Sequence, residues 1–429
     1  MMKSSNLNTW LWKWHIIAGL VCVPFMLLLA ITGSVYLFKD IYNDNSYADA
    51  RFVSHLNNEK TVSYDEQLKT AVAHISDNQN EEIVSITIPE RTDKATSFQR
   101  SGNGRAADLI YVNPYSNEVT GIYKQTDSLM YTVRKLHGEL LLGGKGTLVV
   151  ELVASWFVVM LISGLYVWWP SKGFSVRGFF LIRSDKGRRM MWRDVHAVIG
   201  FWVSLFMLVI LAGGMPWTEL FGDNLKWVQS KTDTGYPQYW QSSRGLTSDI
   251  SVLNASTPLG IEEILKQQDV ANLTGQLTIA LPEGSEGVYT VKNHTQWLSD
   301  QRVIHIDQYS GNTIVALGWN SVGILMELRQ VFMRFHQGQY GIFNLIAILL
   351  VVQLFALSLI ASLVSYFKRK PKGSLGIPKV PAGFNIGVPI FIAIVLLGFL
   401  FPAFGISLVC IFVIEKARDL IKPKLQTQQ

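Results

Sequence analysis

Long uninterrupted apolar runs dominate the hydrophobic pattern of the chain, and polar stretches of very unequal length separate them. Four runs stand out: Ile16–Phe38, Thr147–Trp169, Ala197–Trp217 and Ile342–Phe367. A helix crosses the roughly 30 Å hydrocarbon core of a bilayer with about 20 residues, so each run predicts a transmembrane helix. A fifth stretch, Ile386–Ile414, carries no charge and has Pro402 near its middle. It predicts a tight hairpin of two short helices, with one long kinked helix as the alternative. The first run exceeds the apolar core of a cleavable signal peptide and no A-x-A-like site follows it, so it is expected to stay as a span.

Between the runs the period changes. In the stretch 39–136 and again in 216–335, a helical pattern (Tyr64–Ile75, then Ile261–Gln268) precedes short alternating segments separated by turn residues. Each stretch therefore predicts a small α+β unit. The two resemble one another: Ile110-Tyr-Val-Asn-Pro-Tyr-Ser-Asn-Glu-Val119 aligns with Ile304-His-Ile-Asp-Gln-Tyr-Ser-Gly-Asn-Thr313. The spans echo this, since Trp14-His15-Ile-Ile-Ala-Gly19 resembles Val195-His196-Ala-Val-Ile-Gly200. The predicted plan is helix, outer unit, helix, repeated in parallel, with a pseudo-two-fold axis along the membrane normal.

Composition agrees with a membrane protein, at 49% hydrophobic and 16% charged residues. Charge adds the orientation. The connection 171–193 carries seven Lys/Arg against one acid, and 368–383 carries five against none. The long stretches are acidic on balance, 11 basic against 14 acidic in 39–136 and 8 against 12 in 216–335. By the positive-inside rule the short connections and the N-terminus are cytoplasmic and the long stretches face outward. The net +6 is then an anchoring charge on the inner face, with no sign of a nucleic-acid partner. Two cysteines, Cys22 and Cys410, both in apolar runs, form no metal-binding motif.

Four of the eight histidines fall at span ends. His15 and His196 lie at the inner face, His137 and His336 at the outer. A pseudo-two-fold along the normal sets equivalent residues at equal depth, which pairs His15 with His196 and His137 with His336. Opposed imidazoles inside a helix bundle suit the two axial positions of a haem. Absence of a C-x-x-C-H motif makes it haem b, two per chain. Gly19 and Gly200 stack one turn beyond their histidines and would admit a flat macrocycle. Lys13, Lys135 and Arg334, each two residues before a histidine, are candidate partners for haem propionates. His196 departs from that pattern, with Asp194 and Arg193 before it. The structural alternative for each feature alone is ordinary: interfacial histidines, packing glycines and anchoring cations are common in membranes. His55, His74, His294 and His305 are expected to be solvated. Glu151, inside the second span, is either functional or high enough to reach water. Gln353 is expected to bond between helices, and Trp217, Trp227 and Trp240 to anchor at the interface.

With these residues in view, the chain resembles the PepSY-associated transmembrane family. The matching stretches are Trp14-His15…Leu29-Ala-Ile-Thr-Gly33, Leu136-His137, Gly164-Leu-Tyr-Val-Trp-Trp-Pro170, Arg193-Asp-Val-His196 and His336-Gln-Gly-Gln-Tyr-Gly341. The resemblance implies an all-α membrane bundle of four core helices with two small PepSY-like periplasmic domains, the C-terminal hairpin being an extension. The expected layout is spans 1–38, 137–170, 194–217 and 336–367, and PepSY-like domains 39–136 and 218–335. Cytoplasmic connections cover 171–193 and 368–383, the hairpin 384–414 and a cytoplasmic tail 415–429. It further implies an iron-regulated inner-membrane protein akin to di-haem ferric-siderophore reductases, with the four family histidines on His15, His137, His196 and His336. No nucleotide fingerprint is present, so the electron donor would be a separate flavoprotein or quinol. Two other classes remain open: a non-redox protein whose outer domains bind a peptide or peptidase, and a small-solute transporter.

Overall fold

The computed structural model describes residues 5–54, 60–75, 82–101, 108–170, 176–249, 257–381 and 383–426, with the backbone alone at 5 and 419–426. In chain order the helices are α1 (Ser5–Tyr36), α2 (Lys39–Ser46), α3 (Ala48–Arg51), α4 (Tyr64–Ala73), α5 (Leu129–Glu139), α6 (Gly144–Trp168) and α7 (Arg188–Gly214). They continue with α8 (Leu220–Thr232), α9 (Ile261–Leu265), α10 (Gln268–Ala271), α11 (Ile324–His336), α12 (Ile342–Arg369), α13 (Val388–Leu400) and α14 (Pro402–Gln426). The strands are β1 (Ile83–Ile88), β2 (Thr96–Arg100), β3 (Asp108–Val112), β4 (Val119–Lys124), β5 (Gln276–Ala280), β6 (Val288–His294), β7 (Arg302–Asp307) and β8 (Thr313–Gly318). These elements form two compact units, one of residues 1–37, 133–228 and 329–429, the other of 38–132 and 229–328.

The first unit is a helical bundle. α1, α6, α7 and α12 are each long and apolar enough to cross a membrane. Val23 and Met26 of α1, Phe157 of α6, Met207 of α7 and Phe355 of α12 meet in one buried cluster. The rings of Phe157 and Phe355 lie 4.8 Å apart at its centre. Gln353 donates to Ser34 Oγ at 2.9 Å, tying α12 to α1 as its place in an apolar span requires. Outward-facing Leu205, Ile346 and Leu350 are exposed, as a lipid-facing surface would be.

The apolar stretch after residue 386 is two helices. The break falls at Phe401 (φ −119°, ψ 87°), and Pro402 opens α14, where its missing N–H costs nothing. A Cβ on Gly405 would sit 2.5 Å from the Gly398 carbonyl oxygen, so a side chain there would force the two helices apart. Phe401 and Phe404 are buried against Ala154 and Val158 of α6, and Trp156 donates to Ser407 at 3.1 Å.

The second unit holds both of the expected α+β stretches and joins their strands. Its strands form one antiparallel sheet in the order β4-β3-β2-β1-β5-β6-β7-β8. The two halves meet where Ile86 pairs with Ile279 and Thr87 with Thr278. Left apart, β1 and β5 would each present a bare edge of unpaired backbone groups; joining them removes both edges. Phe98, Ile110, Ile279, Val291 and Ile306 form the core beneath Ala71 of α4, Ile261 and Ile264 of α9, and Val270 of α10. The halves also exchange helix caps. Asp65 of α4 accepts from Ile261 N at 2.8 Å, and Glu262 of α9 accepts from Tyr64 N at 2.8 Å.

Two expectations are corrected here. His305 is fully buried, its ring nitrogens 2.9 Å from Thr290 Oγ1 and 2.8 Å from the Tyr239 carbonyl. Burial holds its pKa below the ordinary 6.5. Trp240 is buried and stacked on Tyr236 at 5.6 Å, so it packs within this unit rather than anchoring at an interface. His74 and His294 are exposed as expected, and His55 lies outside the described residues.

Candidate functional site

The bundle brings the four span-end histidines together in two pairs. The ring centroids of His15 and His196 are 6.3 Å apart, and those of His137 and His336 are 6.2 Å apart. Each pair takes one residue from each half of the chain. His15 and His196 lie inside α1 and α7, about three and about two turns from the helix starts. His137 and His336 stand on α5 and α11, short helices that precede the spanning α6 and α12. Tight turns separate them from those spans. Gly341 enters α12 at φ 91°, a left-handed conformation that glycine adopts without strain. Before α6, Leu140 and Leu141 themselves take φ of 49° and 59°, which is uncommon for such side chains.

Every one of the four rings has Nδ1 engaged by a neighbouring helix. His15 Nδ1 is 3.2 Å from Ser163 Oγ of α6. His196 Nδ1 is 3.0 Å from both the carbonyl and the hydroxyl of Ser358 on α12. His137 Nδ1 is 3.0 Å from Thr32 Oγ1 of α1, and His336 Nδ1 is 2.8 Å from the Ile210 carbonyl of α7. Facing a carbonyl, as in His196 and His336, Nδ1 must carry the proton and donate it. Thr32 Oγ1 itself donates to the Leu28 carbonyl at 2.8 Å, so it accepts from His137 in the same sense. That tautomer leaves Nε2 as a lone-pair donor, the arrangement in which a histidine serves as a metal ligand with its other nitrogen anchored.

The spacing fits one metal atom per pair. Two metal–nitrogen bonds of about 2.0 Å and two ring radii of about 1.15 Å span ~6.3 Å when collinear. Among the described residues no three His, Cys, Asp or Glu side chains cluster as a metal site, so a metal held here would need its remaining ligands from a group it brings. A planar macrocycle with a central metal does so.

Three rings also pack through Cε1 against glycines of neighbouring helices. A Cβ would meet His137 Cε1 at 3.0 Å on Gly33, His15 Cε1 at 3.0 Å on Gly164, and His336 Cε1 at 3.3 Å on Gly214. Gly33 and Gly214 follow His15 and His196 by the same 18 residues, which is five full turns, so both pairs lie along one face of α1 and of α7. The rise over that interval is ~27 Å.

A cavity of about 630 Å³ reaches the His15/His196 pair, within the range of cofactor pockets. Gly19 and Gly200 line it, and nothing lies within 4 Å of a Cβ on Gly19, so this glycine borders open space. Lys13 does not line it; its Nζ lies over the Trp14 ring at 5.6 Å. Lys186, Arg189, Arg193 and Arg369 do; none of them was a propionate candidate from the sequence, in which Arg193 figured only as a residue before His196. Lys135 is paired with Glu139, one turn on, and Arg334 lies two residues before His336 on α11.

Glu151 has a structural task. It is fully buried and accepts from Leu220 N at 2.9 Å and Phe221 N at 3.0 Å, capping the start of α8. Trp217 and Trp227 are exposed, and Arg329 lies over the Trp217 ring at 4.3 Å. No curated protein matches the chain. The family model of the PepSY-associated TM region matches residues 12–369, and this membrane protein belongs to that family.

Proposed function

We propose that the chain is a di-haem b electron-transfer protein of the bacterial inner membrane that reduces a periplasmic ferric chelate, acting as a haem-dependent ferric-siderophore reductase. One observation carries the reading: two histidine pairs, 6.3 and 6.2 Å apart, each with Nδ1 anchored and room for one metal atom between the rings. Haem b, when bound, supplies one-electron redox chemistry. The chain supplies the rest. His15 with His196, and His137 with His336, would hold one such group each through their free Nε2 atoms, and with both imidazoles engaged the group would supply electron exchange rather than activation of a further ligand. Val23, Met26, Phe157 and Phe355 keep the bundle interior apolar between the two sites.

The basic connections 171–193 and 368–383 set the N-terminus and the His15/His196 end toward the cytoplasm. The His137/His336 end then faces the periplasm, where the chelate arrives. Electrons enter from a separate donor, a reduced flavoprotein or a quinol. Each ferric ion takes one electron, so a two-electron donor serves two ferric ions.

The test is spectroscopic. A pyridine-haemochrome assay on the purified protein is expected to give two haem b per chain. His15→Ala or His196→Ala should remove one and the same spectral component, and His137→Ala or His336→Ala the other. Dithionite-reduced wild type should be reoxidised anaerobically by a ferric chelate and release ferrous iron, and His336→Ala should lose that fast phase. A well-folded preparation without haem would refute the reading, as would a His336→Ala variant reoxidised at the wild-type rate.

A further inference from the structure

The rim of the cavity at the His15/His196 pair holds more positive charge than the chain neutralises. Lys186, Arg189, Arg193 and Arg369 line it, and no Asp or Glu does. Lys186 has Asp185 at 3.8 Å. Arg193 is held by Asp194, which is fully buried and accepts from Arg193 Nη2 at 2.8 Å and from Arg183 Nε at 2.7 Å. Asp194 thus faces two arginines and fully neutralises neither. Arg189 and Arg369 have no carboxylate partner among the described residues. Arg369 donates to the Gly376 carbonyl at 3.2 Å and lies over the Trp12 ring at 4.8 Å, neither of which cancels its charge. It also lies within Coulombic reach of Arg189. Like charges gathered at the mouth of a cavity repel one another unless an anion joins them.

We propose that Arg189, Arg193 and Arg369 form the receptor for the two carboxylates of the macrocycle held by His15 and His196, and that Asp194 is a positioning residue that presents Arg193 to it. The inference rests on the proposed haem at that pair. It replaces the sequence-based candidate Lys13, which stands outside the cavity. Two carboxylates supply two negative charges against the two arginines that lack a carboxylate partner. Arginine is suited to the task because its planar donors engage a carboxylate in two parallel bonds. Asp194 fixes the Arg193 fork through Oδ1, at 3.2 Å from Nε and 2.8 Å from Nη2, while Arg183 donates to Oδ2 through Nε and shares Oδ1 through Nη2 at 3.0 Å.

The experiment compares haem with its dimethyl ester, which lacks both carboxylates. Haem release to excess apomyoglobin is followed for wild type, Arg193→Gln, Arg369→Gln, Asp194→Asn and Lys13→Gln. Native haem at the His15/His196 pair should leave Arg193→Gln and Arg369→Gln roughly 10- to 100-fold faster per lost arginine, the range carried by charge-assisted hydrogen bonds. With the ester, wild type and these variants should release at one rate. Lys13→Gln should match wild type with either compound. Asp194→Asn should accelerate release of native haem alone. The midpoint potential at this pair should fall in the arginine variants, because nearby cations favour the reduced, less positive state. If wild type binds two haems and the arginine variants release both compounds as slowly as wild type, the receptor is refuted while the haem reading stands. Equal acceleration with haem and ester would refute it too, since the arginines would then act on the fold. A wild type that binds no haem would overturn both.

Discussion

The glycines that face the histidine rings give a graded prediction. A methyl group added at Gly33 would lie 3.0 Å from His137 Cε1, and one at Gly164 3.0 Å from His15 Cε1. Carbon atoms pack best at about 3.5–4.0 Å, so each ring must recede by about 0.5 Å. Recoil is opposed by the anchors at Nδ1, Thr32 at 3.0 Å for His137 and Ser163 at 3.2 Å for His15. A metal–nitrogen bond accepts a displacement of only about 0.2 Å. Gly33→Ala should therefore weaken haem binding at His137/His336, and Gly164→Ala at His15/His196. The expected loss is on the order of 10- to 100-fold, as when groups that orient a metal ligand are disturbed. Gly214→Ala, at 3.3 Å from His336 Cε1, should do less, and Gly200→Ala, 3.7 Å from Ser358 Oγ, nothing through this route. Alanine favours a helix over glycine by about 1 kcal/mol, so unfolding is not the expected cause of any loss. Haem content after challenge with apomyoglobin gives the affinity, and thermal unfolding checks the fold. Full retention of both haems in Gly33→Ala and Gly164→Ala, at wild-type release rates, would sink the argument that these contacts set the rings.

Three further outcomes concern the scaffold. Glu151→Gln should lower the thermal stability of the bundle by roughly 1–2 kcal/mol through loss of the charged cap on α8, without altering the spectrum of either haem; an unchanged melting temperature would count against the cap. Asp65→Ala should destabilise the β-sheet unit by about 1 kcal/mol, with a similar loss for Glu262→Ala, read by denaturant unfolding followed through amide hydrogen exchange of the sheet strands. His305, its pKa held below 6.5 by burial, binds its proton more readily when unfolded. Its contribution to stability is therefore complete above pH 6.5 and declines as pH falls below that value. His305→Asn should flatten that part of the pH–stability curve, and an equally steep curve in the variant would refute the assignment.

The spans were legible because a predominantly apolar run of some twenty residues has few other uses. The histidines were legible because each stood at a matching place relative to a run. What they rest on was not. Ser163 and Gly164 belong to α6 and Ser358 to α12, so their nearness to His15 and His196 depends on helix packing that no local pattern encodes. One signal was available: Gly33 and Gly214 follow their histidines by an equal number of residues, a whole number of helical turns. Glu151 could not be assigned from its position because its partners, Leu220 and Phe221, lie beyond the next span. Lys13 was favoured for its closeness to His15 in sequence, yet on a helix residues two apart point to different sides. The single sheet escaped notice since each half satisfies its own alternation; only the edges of β1 and β5, unpaired within their halves, hinted that something must cover them.

The pairing of β1 with β5 has a consequence for biosynthesis. Residues 83–88 leave the ribosome long before residues 276–280, and α6 and α7 must be threaded into the bilayer in between. During that interval β1 is a terminal strand with an open flank, the kind of surface that recruits foreign strands. The start of α4 lacks its acceptor as well, since Glu262 arrives with the second half. Truncation anywhere before residue 280 should thus yield a product that is sticky outside the membrane even when its helices are inserted. Closure of the sheet, a contact of long sequence separation, is expected to be a slow late step in assembly.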